Sequence, residues 1–547
     1  MNIAQQIVQI LEDRGVKYVF GIPGEENIRI VDAIHDSDKI QFILVRHEQG
    51  ASFMADVYGR LTGQPGVATA TLGPGAINLL LGVADAKTNS TPLIAITAQG
   101  GLNRIYKESH QVIDLRAMFQ PVTKWSENVY AANATPEIVN KAFNQAVNGR
   151  PGPVYLGIPQ DIEPMPAVPA IAKTASTPAN LTVPQTPDLQ RAAQIIKKAQ
   201  HPIALIGMGV IRDHASEEVN NFIKQTNLPA ATTFMGKGAI DDRLPSSLGV
   251  IGFMRHDYEN FAYDQADVIL TIGYELSEFD PNRINPDGDK QIIHLNDFQE
   301  DTDAHYTVSQ NLIGNLQATV PLLQEQLSDF QAQDLKPAIK DAVQAELTTG
   351  QQESQVPLTP QQIVTATREA VDDQGIVLVD TGALKMWMAR LYQTYTPNSA
   401  LIDNGLSTMS WTLPGAIGAK LACPDKNILA VMGDGSFMMN SQELETAVRY
   451  HVPMTNLVWV DQAYGLIKWK MDMEMEHHSE VDFHNPDLIS YAKSFGANAH
   501  MVQSRADLVQ TLKTSLTNQQ VNVIICPVDY SENMKLINKL GKVTISL

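Results

Sequence analysis

Cysteine is nearly absent from this chain of 547 residues: only Cys423 and Cys526 occur, in no metal-binding or CxxC spacing. A disulfide framework is thereby excluded, and a reducing compartment is the natural setting. Basic residues are short as well, 40 against 60 acidic ones, for a formal charge of −20. Nucleic acid and anionic membranes both select basic surfaces, so neither is expected as a partner. Long apolar runs are missing too; none reaches the roughly 18 residues that a membrane-spanning helix needs. The N-terminal stretch carries the early acids Glu12 and Asp13 and reads as an amphipathic helix running into a strand. That pattern is not a signal peptide, and a cytoplasmic location is the expectation.

What is present is the composition of a folded globular protein, 44% hydrophobic and 18% charged. The length predicts about three domains. Two stretches break the pattern: residues 164–187, rich in Pro, Ala and Thr, and residues 346–360, polar and ending on Pro357 and Pro360. They divide the chain into 1–165, 188–345 and 358–547. Within each part, short apolar runs alternate with helical patterns. The runs fall at 42–45, 66–72 and 93–97, then 203–206, 268–272 and 292–295, then 376–379, 428–432, 457–460 and 523–525. Continuous apolar strands separated by helices mean parallel sheets covered on both faces. The predicted fold is α/β, with three doubly wound parallel-sheet domains.

The most informative stretch is in the third part. A strand ends at Gly433-Asp434-Gly435-Ser436, and a helix is predicted to open near Asn440 and Ser441. Glycines allow close backbone approach, and a helix start offers unpaired N–H groups to a phosphate. An aspartate at the carboxyl end of a strand stands where open α/β sheets bind ligands, and beside a diphosphate it would hold Mg²⁺. Gly-Asp-Gly alone equally fits an ordinary turn. A second strand, however, delivers Asp461-Gln462-Ala463-Tyr464-Gly465, with 25 residues between Gly435 and Asp461. Strand, helix, strand would set the two strand ends side by side, so that Asp434 and Asp461 could share one cation.

Gly-Asp-Gly followed at this distance by an Asp-containing turn resembles the thiamine diphosphate signature. The resemblance runs along the whole chain. It includes Val19-Phe-Gly-Ile-Pro-Gly-Glu25, Arg46-His-Glu-Gln-Gly-Ala51, Gly73-Pro-Gly-Ala-Ile-Asn78, and Thr408-Met409 followed by Leu413-Pro-Gly-Ala-Ile-Gly418. Among thiamine diphosphate-dependent enzymes, the sequence is most similar to the flavin-free, catabolic branch of the acetolactate synthases. That resemblance implies pyrimidine-binding, central and diphosphate-binding domains in this order.

It also implies roles. Asp434, Asp461 and the Ala463 carbonyl would hold Mg²⁺. Gly382, Ala383, Leu384, Gly433, Gly435, Ser436, Tyr464 and Gly465 would surround the diphosphate. Glu48 would bond the pyrimidine ring nitrogen, and Ile22, Pro23, Gly24, Pro74 and Asn78 would wall the ring. Met409 would prop the cofactor's bend, beside the Ser407 carbonyl. Gln111, with His110 next to it, would face the substrate. In this family the two walls come from different subunits, so a homodimer is the minimal active unit and a homotetramer the expected assembly.

The implied reaction decarboxylates one pyruvate and joins its two-carbon remnant to a second, giving 2-acetolactate and CO₂. The alternatives are a 2-oxo acid decarboxylase or another carboligase, and a catalytically silent subunit. Leu466 and Lys470 fall in the acceptor pocket, and relatives carry Trp or Gln at the place of Lys470. Residues 471–478, rich in Glu and His, read as a solvated loop or lid, and Lys87 and Lys124 as surface charges. No FAD is expected. The 271–281 stretch resembles the flavin-free branch, and Gly207-Met208-Gly209 lacks a third glycine at dinucleotide spacing.

Overall fold

Strands form where the sequence is apolar without interruption. Leu93–Gln99, Gly66–Ala70 and Val268–Ile272 are buried at every residue, as strands covered on both faces must be. The computed structural model describes residues 1–169, 182–252, 257–333 and 338–540. It contains three six-stranded parallel sheets.

The first holds β1 (Tyr18–Gly21), β2 (Gln41–Leu44), β3 (Gly66–Ala70), β4 (Leu93–Gln99), β5 (Trp125–Asn128) and β6 (Pro153–Pro159), ordered β2-β1-β3-β4-β6-β5. The second holds β7 (Pro202–Ile206), β8 (Ala230–Thr232), β9 (Ser247–Val250), β10 (Val268–Ile272), β11 (Gln291–Asn296) and β12 (Val308–Ile313), ordered β12-β11-β10-β7-β8-β9. The third holds β13 (Ile376–Val379), β14 (Ala400–Ile402), β15 (Ile428–Gly433), β16 (Met454–Val460), β17 (Asn498–Met501) and β18 (Val521–Pro527), ordered β14-β13-β15-β16-β18-β17.

The first and third sheets thus share one connectivity. The middle sheet instead follows the 3-2-1-4-5-6 order of dinucleotide-binding folds. One apolar core joins the first and third sheets, with Phe53, Met54, Trp411 and Ile417 in it. At its centre the helix Glu48–Thr62 crosses the helix Thr412–Ala422. A Cβ at Gly418 would sit 2.3 Å from the Met54 carbonyl oxygen. The Pro-Gly-Ala-Ile-Gly stretch therefore serves a close helix crossing.

Five expectations need correction or limits. The helix after β15 opens at Asp434, not near Asn440, because Gly433 caps it directly. Residues 471–475 continue the helix Gly465–Met475, held by Trp469, which is buried, and by Met473, packed on the core. The stretch 346–360 begins inside the helix Ala338–Gly350, where Glu346 is buried against Arg390. Lys87 is exposed, but Lys124 is half-buried and its Nζ donates to the Asn148 carbonyl at 2.7 Å. Of the stretch 164–187, residues 170–181 lie outside the described residues. No described helix is long and apolar enough to cross a membrane.

Candidate active site

Glu48 opens the helix that follows β2, with His47 as its cap. The residue is 8% exposed, and its Oε2 accepts from Asn78 Nδ2 at 3.0 Å. Asn78 lies in the first turns of the helix Pro74–Thr88, behind β3. A Cβ at Gly24 would lie 2.3 Å from Thr71 Cβ, so the loop with Ile22 and Pro23 touches the turn before Pro74. Gly73 has φ +59°, and a Cβ there would come within 2.8 Å of the Gln111 carbonyl oxygen. Glu48, Asn78, Pro74, Ile22–Gly24 and Gln111 thus share the carboxyl ends of β1 to β4. His110 is exposed beside them, its carbonyl accepting from Arg104 Nη2 at 3.0 Å.

A second constellation lies at the carboxyl ends of β13, β15 and β16. Three helices start there: Ala383–Leu391, Asp434–Asn440 and Gly465–Met475. Their first turns touch. A Cβ at Gly433 would be 3.5 Å from Leu384 Cδ2, one at Gly465 3.6 Å from Ala383 Cβ, and one at Gly435 3.1 Å from the Tyr464 ring. Gly382, with φ +154°, is the residue before the first of these helices. Three sets of unpaired N–H groups therefore surround one space, an arrangement suited to a polyanion. Ser436 Oγ and Thr381 Oγ1 are buried at its edge without a hydrogen-bond partner among the described residues.

Asp434 is fully buried. Its Oδ1 accepts from the Gly435 N–H at 3.0 Å, and its Oδ2 from the Gln462 N–H at 2.9 Å and Asn485 Nδ2 at 2.7 Å. Burial raises its pKa. Asp461 is pushed up to about 7, by burial first and then by the charge of Asp434. Two carboxylates that disfavour each other's ionisation call for a cation between them. Among the described residues no third His, Cys, Asp or Glu joins them. The remaining donors would be backbone and phosphate oxygens, the set that Mg²⁺ prefers. The residues present therefore fit a diphosphate held through a divalent cation.

The loop with Ser407 and Met409 lies between these halves and is strained, with φ +58° at Ser407 and +71° at Ser410. Buried polar groups hold it. Lys385 Nζ donates to Ser407 Oγ at 3.0 Å, the Thr408 N–H to Asp403 Oδ2 at 2.8 Å, and the Ser410 N–H to Asp380 Oδ1 at 2.9 Å. Thr408 Oγ1 donates to Asp85 Oδ1 at 3.1 Å. Asp85 lies in the last turn of the helix Pro74–Thr88, seven residues or about 10 Å beyond Asn78. No hydrogen bond of the described residues joins Glu48 or Asn78 to the three converging helix starts.

Sequence reasoning missed the residues that fasten this framework: Lys385, Asp380, Asn485 and Glu443. Glu443, fully buried, reaches from the third domain into the first. Its Oε1 accepts from the Arg46 N–H at 3.1 Å and the His47 N–H at 3.0 Å. It thus holds the start of the helix that carries Glu48, and burial raises its pKa to about 7. Gly50 makes room for it, since a Cβ there would lie 2.8 Å from Glu443 Oε1. Leu466 is half-buried against the core, and Lys470 is exposed one turn further on.

Comparisons with known proteins match three stretches of the chain. The N-terminal TPP binding domain of thiamine pyrophosphate enzymes matches residues 1–118, their central domain 189–323, and their C-terminal TPP binding domain 380–526. The chain belongs to the thiamine pyrophosphate enzymes. Within that class its relatives are acetolactate synthases. It is 35% identical to "Acetolactate synthase" of Bacillus subtilis (strain 168), over 98% of this chain and 95% of that protein. It is 34% identical to "Acetolactate synthase, catabolic" of Raoultella terrigena, over 98% and 97%. It is 32% identical to "Acetolactate synthase isozyme 2 large subunit" of Escherichia coli (strain K12), over the same shares.

Proposed function

We propose that this protein is a thiamine diphosphate-dependent acetolactate synthase. Two pyruvate anions and one proton give one 2-acetolactate anion and CO₂. The observation that carries the reading is the pair of constellations, each built from residues that the family uses, in a chain related to acetolactate synthases along its whole length. The domains divide at 1–165, 188–345 and 358–547.

When bound, thiamine diphosphate supplies the nucleophilic carbon and the electron sink for decarboxylation. The chain supplies the rest. Asp434, Asp461 and the Ala463 carbonyl hold Mg²⁺, and the helix starts at Ala383, Asp434 and Gly465 take the phosphate oxygens. Gly382, Gly433, Gly435 and Ser436 leave room for close approach. Asn78 fixes Glu48 Oε2, leaving Oε1 as the atom that would hold a proton toward the cofactor. Ile22, Pro23, Gly24, Pro74, Tyr464, Met409 and Ser407 would line the space the cofactor fills. Gln111 and His110, with Leu466 and Lys470, face the substrate. Catalysis then rests on holding the second pyruvate close and keeping water out.

The same reading excludes FAD from the middle domain. At the switch point of its sheet, Glu278 Oε2 accepts from the Met208 N–H at 2.9 Å, and the Gly209 N–H donates to the Gly273 carbonyl at 2.8 Å. The turn that would receive a dinucleotide phosphate is thus satisfied internally and faces a carboxylate. An absorption band near 450 nm in the purified protein would overturn this.

The working unit is a homodimer, with two dimers pairing into a tetramer in the cytoplasm. Supporting this, Ile77 and Leu81, on the helix that carries Asn78, are exposed. So are Met439 and Ile467, on the helices that begin at the cradle. Incubation with pyruvate, thiamine diphosphate and Mg²⁺, followed by product identification, tests the activity. The expected product is 2-acetolactate; acetaldehyde alone would make the enzyme a decarboxylase.

A further inference from the structure

Away from the active site, a cavity of about 170 Å³ lies between the edge of the middle sheet and the third domain. Three cations, Lys237, Lys340 and Arg390, line it against one carboxylate, Asp242. Arg390 is satisfied from behind by Asp257 and Glu346. Lys237 is not. It is 2% exposed, its Nζ is 3.6 Å from Asp242 Oδ2, beyond hydrogen-bond reach, and no other partner takes it among the described residues. That Oδ2 already accepts from the Thr394 N–H at 2.7 Å and Thr394 Oγ1 at 3.1 Å. Lys340 uses one donor on the Leu244 carbonyl at 2.5 Å. An ammonium carries three donors, so most of those on Lys237 and Lys340 are left for whatever fills the cavity.

An ammonium held inside the protein without a hydrogen bond is costly, and Lys237 lines the cavity. We infer that the cavity is a binding site for a small oxyanion, inorganic phosphate or a short-chain carboxylate, bridged between Lys237 and Lys340. Size supports this: at about 30 Å³ per water-sized group, the space holds about five non-hydrogen atoms. An uncharged ligand would leave the cations unpaired. The occupant would rest against Arg390 and Leu391, the last turn of the helix Ala383–Leu391. The first turn of that helix is a wall of the diphosphate cradle, about 13 Å away. The site thus lies outside the catalytic machinery yet shares an element with it.

The test uses the protein loaded with thiamine diphosphate and Mg²⁺. Its thermal midpoint is titrated with potassium orthophosphate and, separately, with potassium acetate, at ionic strength fixed by potassium chloride. A ligand of the folded state raises the midpoint saturably. The expected result is such a rise with at least one anion, abolished in both Lys237→Met and Lys340→Met and kept in Lys237→Arg. Orthophosphate acting alone would identify a tetrahedral ligand, and acetate acting alone a carboxylate. Lys340 sits on an outer helix, so its variant remains informative if Lys237→Met fails to fold. No rise with either anion, or an equal rise in Lys340→Met, overturns the inference.

Discussion

The Glu48–Asn78 hydrogen bond positions the side chain to which the proposed mechanism assigns the proton. Replacing Glu48 by Gln keeps its size and its bond to Asn78 but removes the exchangeable proton. Turnover is expected to fall at least ~100-fold, the usual scale for losing a general acid or base. Thiamine diphosphate affinity, measured by calorimetry, should stay close to that of the wild type. Near-normal turnover would remove Glu48 from the mechanism. Residues of this kind were legible because their chemistry needs a particular side chain in a particular motif. Asp434 and Asp461 stand out for the same reason. Glu443 and Asp380 do not, because each is held by backbone N–H groups and one threonine hydroxyl, which leave no mark in a sequence. Lys385, bonded to the far side of a loop, is hidden likewise.

Helix starts do the positioning at the next scale, and several rest on buried carboxyls that titrate near neutrality. Glu443 holds the helix of Glu48, and Glu278 holds the Gly207–Gly209 turn; burial raises both to about 7. The folded protein then keeps protons that the unfolded chain, with carboxyls near 4.3, has already released. The stability they contribute is complete below that unfolded value and is lost as pH rises from there through 7. Between pH 6 and 8 each group removes about 1 kcal/mol. Denaturant unfolding of the apoprotein should show higher stability at pH 6, and Glu443→Gln should flatten the difference by about that amount. An unchanged slope would contradict this assignment.

Strands were legible at this scale because a short, uninterrupted apolar run between turn residues fits a strand buried on both faces better than any helix. The helix at Asp434 was misplaced because Gly-Asp-Gly signals a turn, although an aspartate in a first turn also favours a helix start. The end of the helix Gly465–Met475 was hidden by its charges, since beyond Leu466 and Trp469 only Met473 reveals its buried face.

At the scale of the molecule, the first and third sheets repeat one connectivity and pack through crossed helices. Each carries one of the two constellations at its strand ends. Strand order was not legible in the sequence, because an apolar run does not name its neighbours. A site shared between two chains was an expectation of the family resemblance alone. In the proposed dimer, two chains complete one another's sites. Mixing dissociated Glu48→Gln and Asp434→Ala proteins and letting them reassociate tests it. Each hybrid dimer would contain one site with an intact Glu48 and an intact Asp434, and the other site would carry both changes. Random pairing of two subunit types then predicts recovery of about a quarter of wild-type acetolactate formation from two inactive parents. No recovery, with hybrids demonstrably formed, would place the whole site in one chain and contradict the account.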